Sequence, residues 1–331
     1  MSAGGRNAAR ALAELRRHRA AATETGLKTL ACLLSIFPVL AILARPQSAR
    51  AHGVVGDYIF LEPLIAEDPT PANELDIVQP YWTRGAGGRT LSIGSSIEKV
   101  LGTDSEGLPR FSIGGGTSWL YQSPNDGPDA QGFGNLDLFA KYAFLIVPEH
   151  EFLMAFAVQM QLPAGNPSVE EQQHTSLGPE FLWEKALGDL PNLPVLKYLR
   201  PLGFQGDVGY LPALGGHTSH QLFADQVIEY SLPYLSNNVQ DIGLRPPFRD
   251  LFLFTEINYS QLIRGPSGQT FPNLVATPGI AYVGYRFELS LGTQFALNNA
   301  SVPGTHAAVI GLLDIFYDSI IPQGNWKLFG N

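Results

Sequence analysis

From residue 74 onward the chain alternates. In the stretch Asp250 to Gln261, Leu251, Leu253, Thr255, Ile257 and Tyr259 share one side, while Phe252, Phe254, Glu256, Asn258 and Ser260 share the other. That period of two belongs to an extended strand, whose successive side chains point to opposite faces. Arg286 to Leu297 sets Phe287, Leu289, Leu291 and Phe295 against Glu288, Ser290, Gly292 and Gln294. In Gly134 to Leu145, Leu136, Leu138, Tyr142 and Phe144 oppose Asn135, Asp137, Phe139 and Lys141, and in Ser176 to Lys185, Leu177, Phe181 and Trp183 oppose Gly178, Glu180 and Glu184. One face of each segment suits hydrocarbon, and the other carries the acids.

The pattern predicts twelve strands, near 74–82, 89–98, 110–121, 132–147, 151–162, 175–186, 199–211, 221–232, 249–262, 274–284, 286–297 and 307–317. A strand of ~11 residues rising ~3.3 Å per residue, tilted by about 40°, spans an apolar band of roughly 25 Å. The expectation is therefore an all-β, antiparallel transmembrane β-barrel over 74–317. With the chain entering from the periplasm, the shortest joins, at Pro148-Glu149-His150 and Tyr285, fall on the periplasmic side. Gly-, Pro- and polar-rich loops at 83–88, 122–131, 163–174, 212–220, 263–273 and 298–306 fall outside. Joins near 99–109, 187–198 and 233–248 are longer than that rule expects. Tyr81, Trp82, Trp119, Tyr121, Trp183, Tyr210, Tyr230, Tyr259, Tyr282 and Tyr317 sit near strand ends, as an interfacial girdle requires.

The first 51 residues differ. They hold eight Lys or Arg against two acids, an apolar core from Leu27 to Ala44 interrupted by Pro38, and a small-residue site at Ala49-Arg50-Ala51. This reads as a cleaved signal peptide over 1–51, a retained membrane anchor being the competing reading. Residues 52–73 would then form an N-terminal periplasmic segment and 318–331 a C-terminal tail. Without 1–51 the chain carries 13 basic and 28 acidic residues, a net −15. That balance argues against a nucleic-acid partner, which needs clustered Lys and Arg. Cys32 is the one cysteine and lies in the leader, so thiolate metal sites, disulfides and cysteine nucleophiles are excluded from the exported part. Only 41 charged residues in the 280 that follow the leader are too few to cover a soluble sandwich comfortably.

Ala51-His52-Gly53, Glu67-Asp68-Pro69 with Asn73-Glu74-Leu75, the stretch Gly134 to Tyr142 and Pro148-Glu149-His150-Glu151-Phe152 resemble exported bacterial proteins of the MetA-pathway phenol-degradation-like putative outer-membrane transporter family. The resemblance runs through most of 52–317 and implies a Gram-negative outer-membrane barrel of transporter type, more distantly similar to hydrophobic-compound channels. Its motifs are structural rather than catalytic. The chain departs from the usual outer-membrane pattern in continuing past its last strand, through Asp318 to Asn331.

Strand parity places Asp137, Phe139, Lys141, Glu180, Glu184, Asp207, Glu229, Phe252, Phe254, Glu256, Glu288 and Asp314 in the lumen. A charge there must be solvated or paired, so these residues either line a wet path or form networks that plug it. An open acidic path favours cations or neutral solutes over anions, and Phe139, Phe252 and Phe254 offer surface to an aromatic one. A metal at loop histidines is a weak alternative, with His52, His174, His217 and His220 as its candidates. Ser176 after His174 and Ser219 beside His220 lie in no nucleophile motif, and Gly-x-Ser-x-Gly is absent. The expectation is no enzyme and no cofactor: a passive channel for small, hydrophobic or aromatic solutes. Its partners would be outer-membrane lipid and the export and barrel-assembly machinery. The alternative is a non-conducting barrel with a structural or surface-binding role.

Overall fold

In the computed structural model, residues 53–169, 174–215, 220–263, 272–299, 301, 307–320 and 327–328 are described. The leader, His52 and His217 lie outside them. Two short strands, β1 (Val54–Val55) and β2 (Tyr58–Ile59), form a small hairpin. Thirteen more follow: β3 (Glu74–Gly85), β4 (Gly88–Thr103), β5 (Pro109–Pro124), β6 (Ala130–Phe133), β7 (Leu136–Val147), β8 (Phe152–Leu162), β9 (Ser176–Ala186), β10 (Leu202–Leu211), β11 (Gln221–Ser231), β12 (Leu251–Leu262), β13 (Pro272–Val283), β14 (Phe287–Ala296) and β15 (Ala307–Phe316). Every pairing is antiparallel, and β15 returns to β3 with Phe316 opposite Glu74, which closes a twelve-strand barrel. β6 is a short flap on the far end of β5. Closure gives each of the twelve wall strands a partner on both sides.

Several differences from the predicted elements have local causes. The single strand expected over 132–147 is divided at Gly134-Asn135, where the Gly134 N–H donates to the Ser118 carbonyl at 2.7 Å and Asn135 is buried. The join expected near 99–109 shrinks to a turn over 104–108, because the Asp104 carboxylate accepts from the Glu106 and Leu108 N–H groups and Gly107 adopts φ +81. The other two long joins are real and partly helical, at Leu196–Leu199 and over Leu232–Val239. A register shift between Asp76 and Gln79 resets the alternation of β3. It turns Tyr81 inward, where its hydroxyl donates to Gln294 Oε1 at 2.7 Å, so this residue is not part of a girdle.

The outer face carries exposed large apolar side chains, among them Tyr142, Phe156, Leu253, Ile280, Leu291 and Phe295, the last two each 55% exposed. The inner face holds the core. Val55, Tyr58 and Phe60 pack against Ala143, Leu153, Ala155, Leu182 and Ala186 of the wall. Leu61, Leu64 and Ala66 pack against Val227, Phe252, Phe254, Ala281, Ile310 and Leu312. The stretch ahead of β3, expected on the periplasmic side, therefore runs inside the barrel. Small wall residues make room for it, since a Cβ at Gly203 would come 2.8 Å from the Tyr58 hydroxyl. Burying each large apolar side chain of this segment is worth about 1.5–3 kcal/mol.

Candidate functional site

A segment inside a closed barrel faces a hydrogen-bonding problem. The wall's N–H and C=O groups are consumed by the strand ladder, yet every buried donor needs an acceptor. Pro63, Pro69 and Pro71 remove three donors outright. Inward-facing carboxylates serve others. The Leu61 N–H donates to Glu229 and the Glu62 N–H to Glu288. Leu64, Ile65 and Ala66 all donate to Glu256, at 2.5, 3.0 and 3.3 Å. The Glu67 N–H reaches Asp207 at 3.1 Å and the Ala72 N–H reaches Glu98 at 3.0 Å. The Thr70 hydroxyl donates to Glu184 at 2.7 Å. In the other direction Gln79 and Gln205 donate to the carbonyls of Leu64 and Leu61. Thus Glu184, Asp207, Glu229, Glu256 and Glu288 meet one partner, residues 61–70.

Lys141 is the only buried cation among the described residues. It donates to the Asp68 carbonyl at 2.6 Å and pairs with Glu98 at 3.1 Å and Glu67 at 3.2 Å, so its charge is spent holding the same segment. Phe252 and Phe254 lie under Leu61 and Leu64 and offer no free aromatic surface. Asp314 is buried opposite Glu288 on the neighbouring strand. Asp137 is exposed to the interior space and accepts from Gln161 at 2.8 Å. The sequence did not single out Asp225, which is directly opposite Asp207 in register. Its inward parity on β11, shared with Glu229, was the available signal.

The segment fills the half of the lumen nearest its entry. The far half remains a cavity of about 690 Å³, and residues Glu62 to Glu67 are its floor. Nine carboxylates line it, Asp137, Glu180, Asp207 and Asp225 among them, and no Lys or Arg does. Four aromatic rings line it, Tyr81, Phe139, Phe223 and Tyr259. Of the sequence-predicted set, Asp137, Phe139, Glu180 and Asp207 line this cavity, joined by Asp225 and Phe223, while Lys141, Glu184, Glu229, Phe252, Phe254, Glu256, Glu288 and Asp314 are buried away from it.

Among solved structures the chain matches an outer membrane channel from Pseudomonas putida F1, with a TM-score of 0.53 at 10% identity, covering 77% of this chain and 99% of that one. The fold is that of an outer-membrane β-barrel. The barrel also resembles, more remotely, the KdgM porin (TM-score 0.40, 9% identity, 72% and 97% covered) and LpxR from Salmonella typhimurium (0.40, 11%, 73% and 99%). No family model and no curated protein matches the chain.

His174 is exposed, and the His220 ring stacks on Tyr210 at 5.9 Å. No group of three His, Cys, Asp or Glu among the described residues has the arrangement of a metal site.

Proposed function

We propose that the chain is exported to the outer membrane and works there as a passive, non-enzymatic channel for small solutes, with residues 53–73 as a removable plug. One observation carries this reading. The plug is held by side-chain hydrogen bonds and two apolar clusters, whereas the wall is held by its own ladder, so the plug can leave without opening a strand pair. The solute class is small molecules with apolar or aromatic bodies, supported by Phe139 and Phe223 in the cavity and by the likeness of 52–317 to MetA-pathway-type transporters. No cofactor enters this reading.

The test is a cross-link. Because Cys32 is the one cysteine and precedes the plug, Leu64→Cys with Gln79→Cys gives a clean pair, joined through a short cleavable dithiol-reactive linker. Gln79 already touches the Leu64 carbonyl at 2.7 Å. In proteoliposomes the unlinked protein should speed catechol equilibration over empty vesicles, the linked protein should return to the empty-vesicle rate, and cleaving the linker should restore flux. A second reading, a non-conducting barrel, draws on the half-filled lumen. It takes over if unlinked protein gives no flux above empty vesicles.

A further inference from the structure

On the inner face of β10 and β11, Asp207 and Asp225 are directly opposite each other, where Cβ atoms of paired strands approach to about 5 Å. Glu180 of β9 is opposite Gly209, two residues along β10 from Asp207, and so stands diagonally next to it. Like charges placed this way repel. A protein interior ordinarily answers such a group with a cation, yet Lys141 is committed to Glu98, Glu67 and the Asp68 carbonyl. Two oxygens of the cluster, Glu180 Oε1 and Asp207 Oδ1, are buried with no hydrogen-bond partner among the described residues. Both residues line the cavity, and their side chains are 2% and 0% exposed. Their other oxygens are used, by Gln159 at 2.6 Å and by the Glu67 N–H at 3.1 Å.

Beside the acids is an aromatic ring. Phe223 is opposite Gly209, and its ring occupies the space that a Cβ at Gly209 would need. The missing side chain thus seats a flat apolar surface one strand from Glu180. Inner-face carboxylates with unfilled acceptors, an aromatic ring next to them and a cavity of about 690 Å³ are complementary to a ligand with a cationic head and an apolar body. A bare metal ion fits less well, since the described residues form no metal-holding group.

We propose that the cavity binds small organic ammonium ions, with the ammonium donating to Glu180, Asp207 and Asp225 and the hydrocarbon or aromatic body against Phe223. The ligand supplies the positive charge that the wall lacks. This deepens the reading of the cavity as the solute-facing half of the lumen, and it makes protonated amines a preferred class there.

The experiment is isothermal titration of the full exported chain, folded in detergent at pH 7.5, with benzylammonium, benzyl alcohol and benzoate as probes. Benzylammonium should bind at least tenfold more tightly than benzyl alcohol, and benzoate should not bind. Asp225→Asn and Glu180→Gln should each erase most of that preference, bringing the benzylammonium affinity down toward that of benzyl alcohol. Asp207→Asn is the less clean variant because Asp207 also holds the plug, and all three are checked for a heat-shifted gel band. Equal affinity for cation and alcohol, absence of binding by either, or a preference that survives both Asp225→Asn and Glu180→Gln would overturn the proposal. Catechol flux is measured separately, so loss of the ammonium site with flux intact marks failure of this inference alone.

Discussion

Glu256 accepts three backbone N–H groups of the plug and is wholly buried. Replacing it by Ala leaves the buried Leu64 and Ala66 N–H groups and the part-buried Ile65 N–H without that acceptor, and a buried orphan costs about 1–3 kcal/mol when water does not reach it. Glu256→Ala should therefore loosen the plug without unfolding the wall. Residues 53–73 contain no Lys or Arg but carry Glu62 and Glu67. A glutamate-specific protease, which does not cleave the Glu62-Pro63 bond, should cut the variant after Glu67 at least tenfold faster than wild type, while the unboiled gel band stays fast. Glu256→Gln, which keeps one acceptor oxygen, should fall between. A second residue-scale effect lies beyond the strands, in the join after β11. The Tyr234 hydroxyl donates to Glu151 at 3.0 Å, and Glu151 also takes the Gly188 N–H at 2.8 Å. Burial, then the Glu151 charge, pushes the Tyr234 phenol from its ordinary value near 10 up to about 12. Between those values the unfolded chain has lost a proton that the folded chain keeps, so this contribution to stability falls as pH rises. Thermal unfolding in detergent between pH 9 and about 12 should show a steeper alkaline loss for wild type than for Tyr234→Phe. Parallel curves would remove Tyr234 from the alkaline transition.

At the scale of elements, the wall was legible and the plug was not. Alternation finds β12 and β14 because most inner residues of those strands are flanked by outward apolar ones, and a period of two needs no knowledge of partners. It fails where geometry departs from two. The shift between Asp76 and Gln79 reverses the parity that would have put Tyr81 outside, and Gly134-Asn135 cuts one strand into a flap and a wall strand. The turn at 104–108 escaped because one carboxylate, Asp104, organises it. Residues 60–73 carry no periodicity at all, and their hydrogen-bond partners are supplied from strands as much as 226 residues away. Parity identifies Glu229, Glu256 and Glu288 as interior, but it is silent on whether they face water, one another or a backbone. The weaker signals were present: three prolines that reduce donor demand, and Ala155 and Ala157 where a wall strand would otherwise place bulk.

For the whole molecule, the segregation of charge sets what the barrel admits. Nine carboxylates and no Lys or Arg face the cavity, and the buried Lys141 is neutralised by its own acids. A cavity walled by low-dielectric protein focuses that field, which raises the local concentration of cations and repels anions. Wild-type protein in a planar bilayer under a KCl gradient should thus show a reversal potential of the cation-selective sign, with K⁺ favoured over Cl⁻ by roughly tenfold in dilute salt, as rings of acidic side chains produce. Screening makes a further demand: in 1 M salt the Debye length shrinks to about 3 Å, and the preference should fall toward unity. Asp137 is the carboxylate to alter, because it is exposed at the cavity and accepts from Gln161 of the neighbouring strand. Asp137→Lys should reduce the K⁺ preference severalfold while leaving the fast unboiled band in place. An anion-selective wild type would mean that the inner carboxylates are neutralised in the working state, and the field of the lumen would then come from the loops.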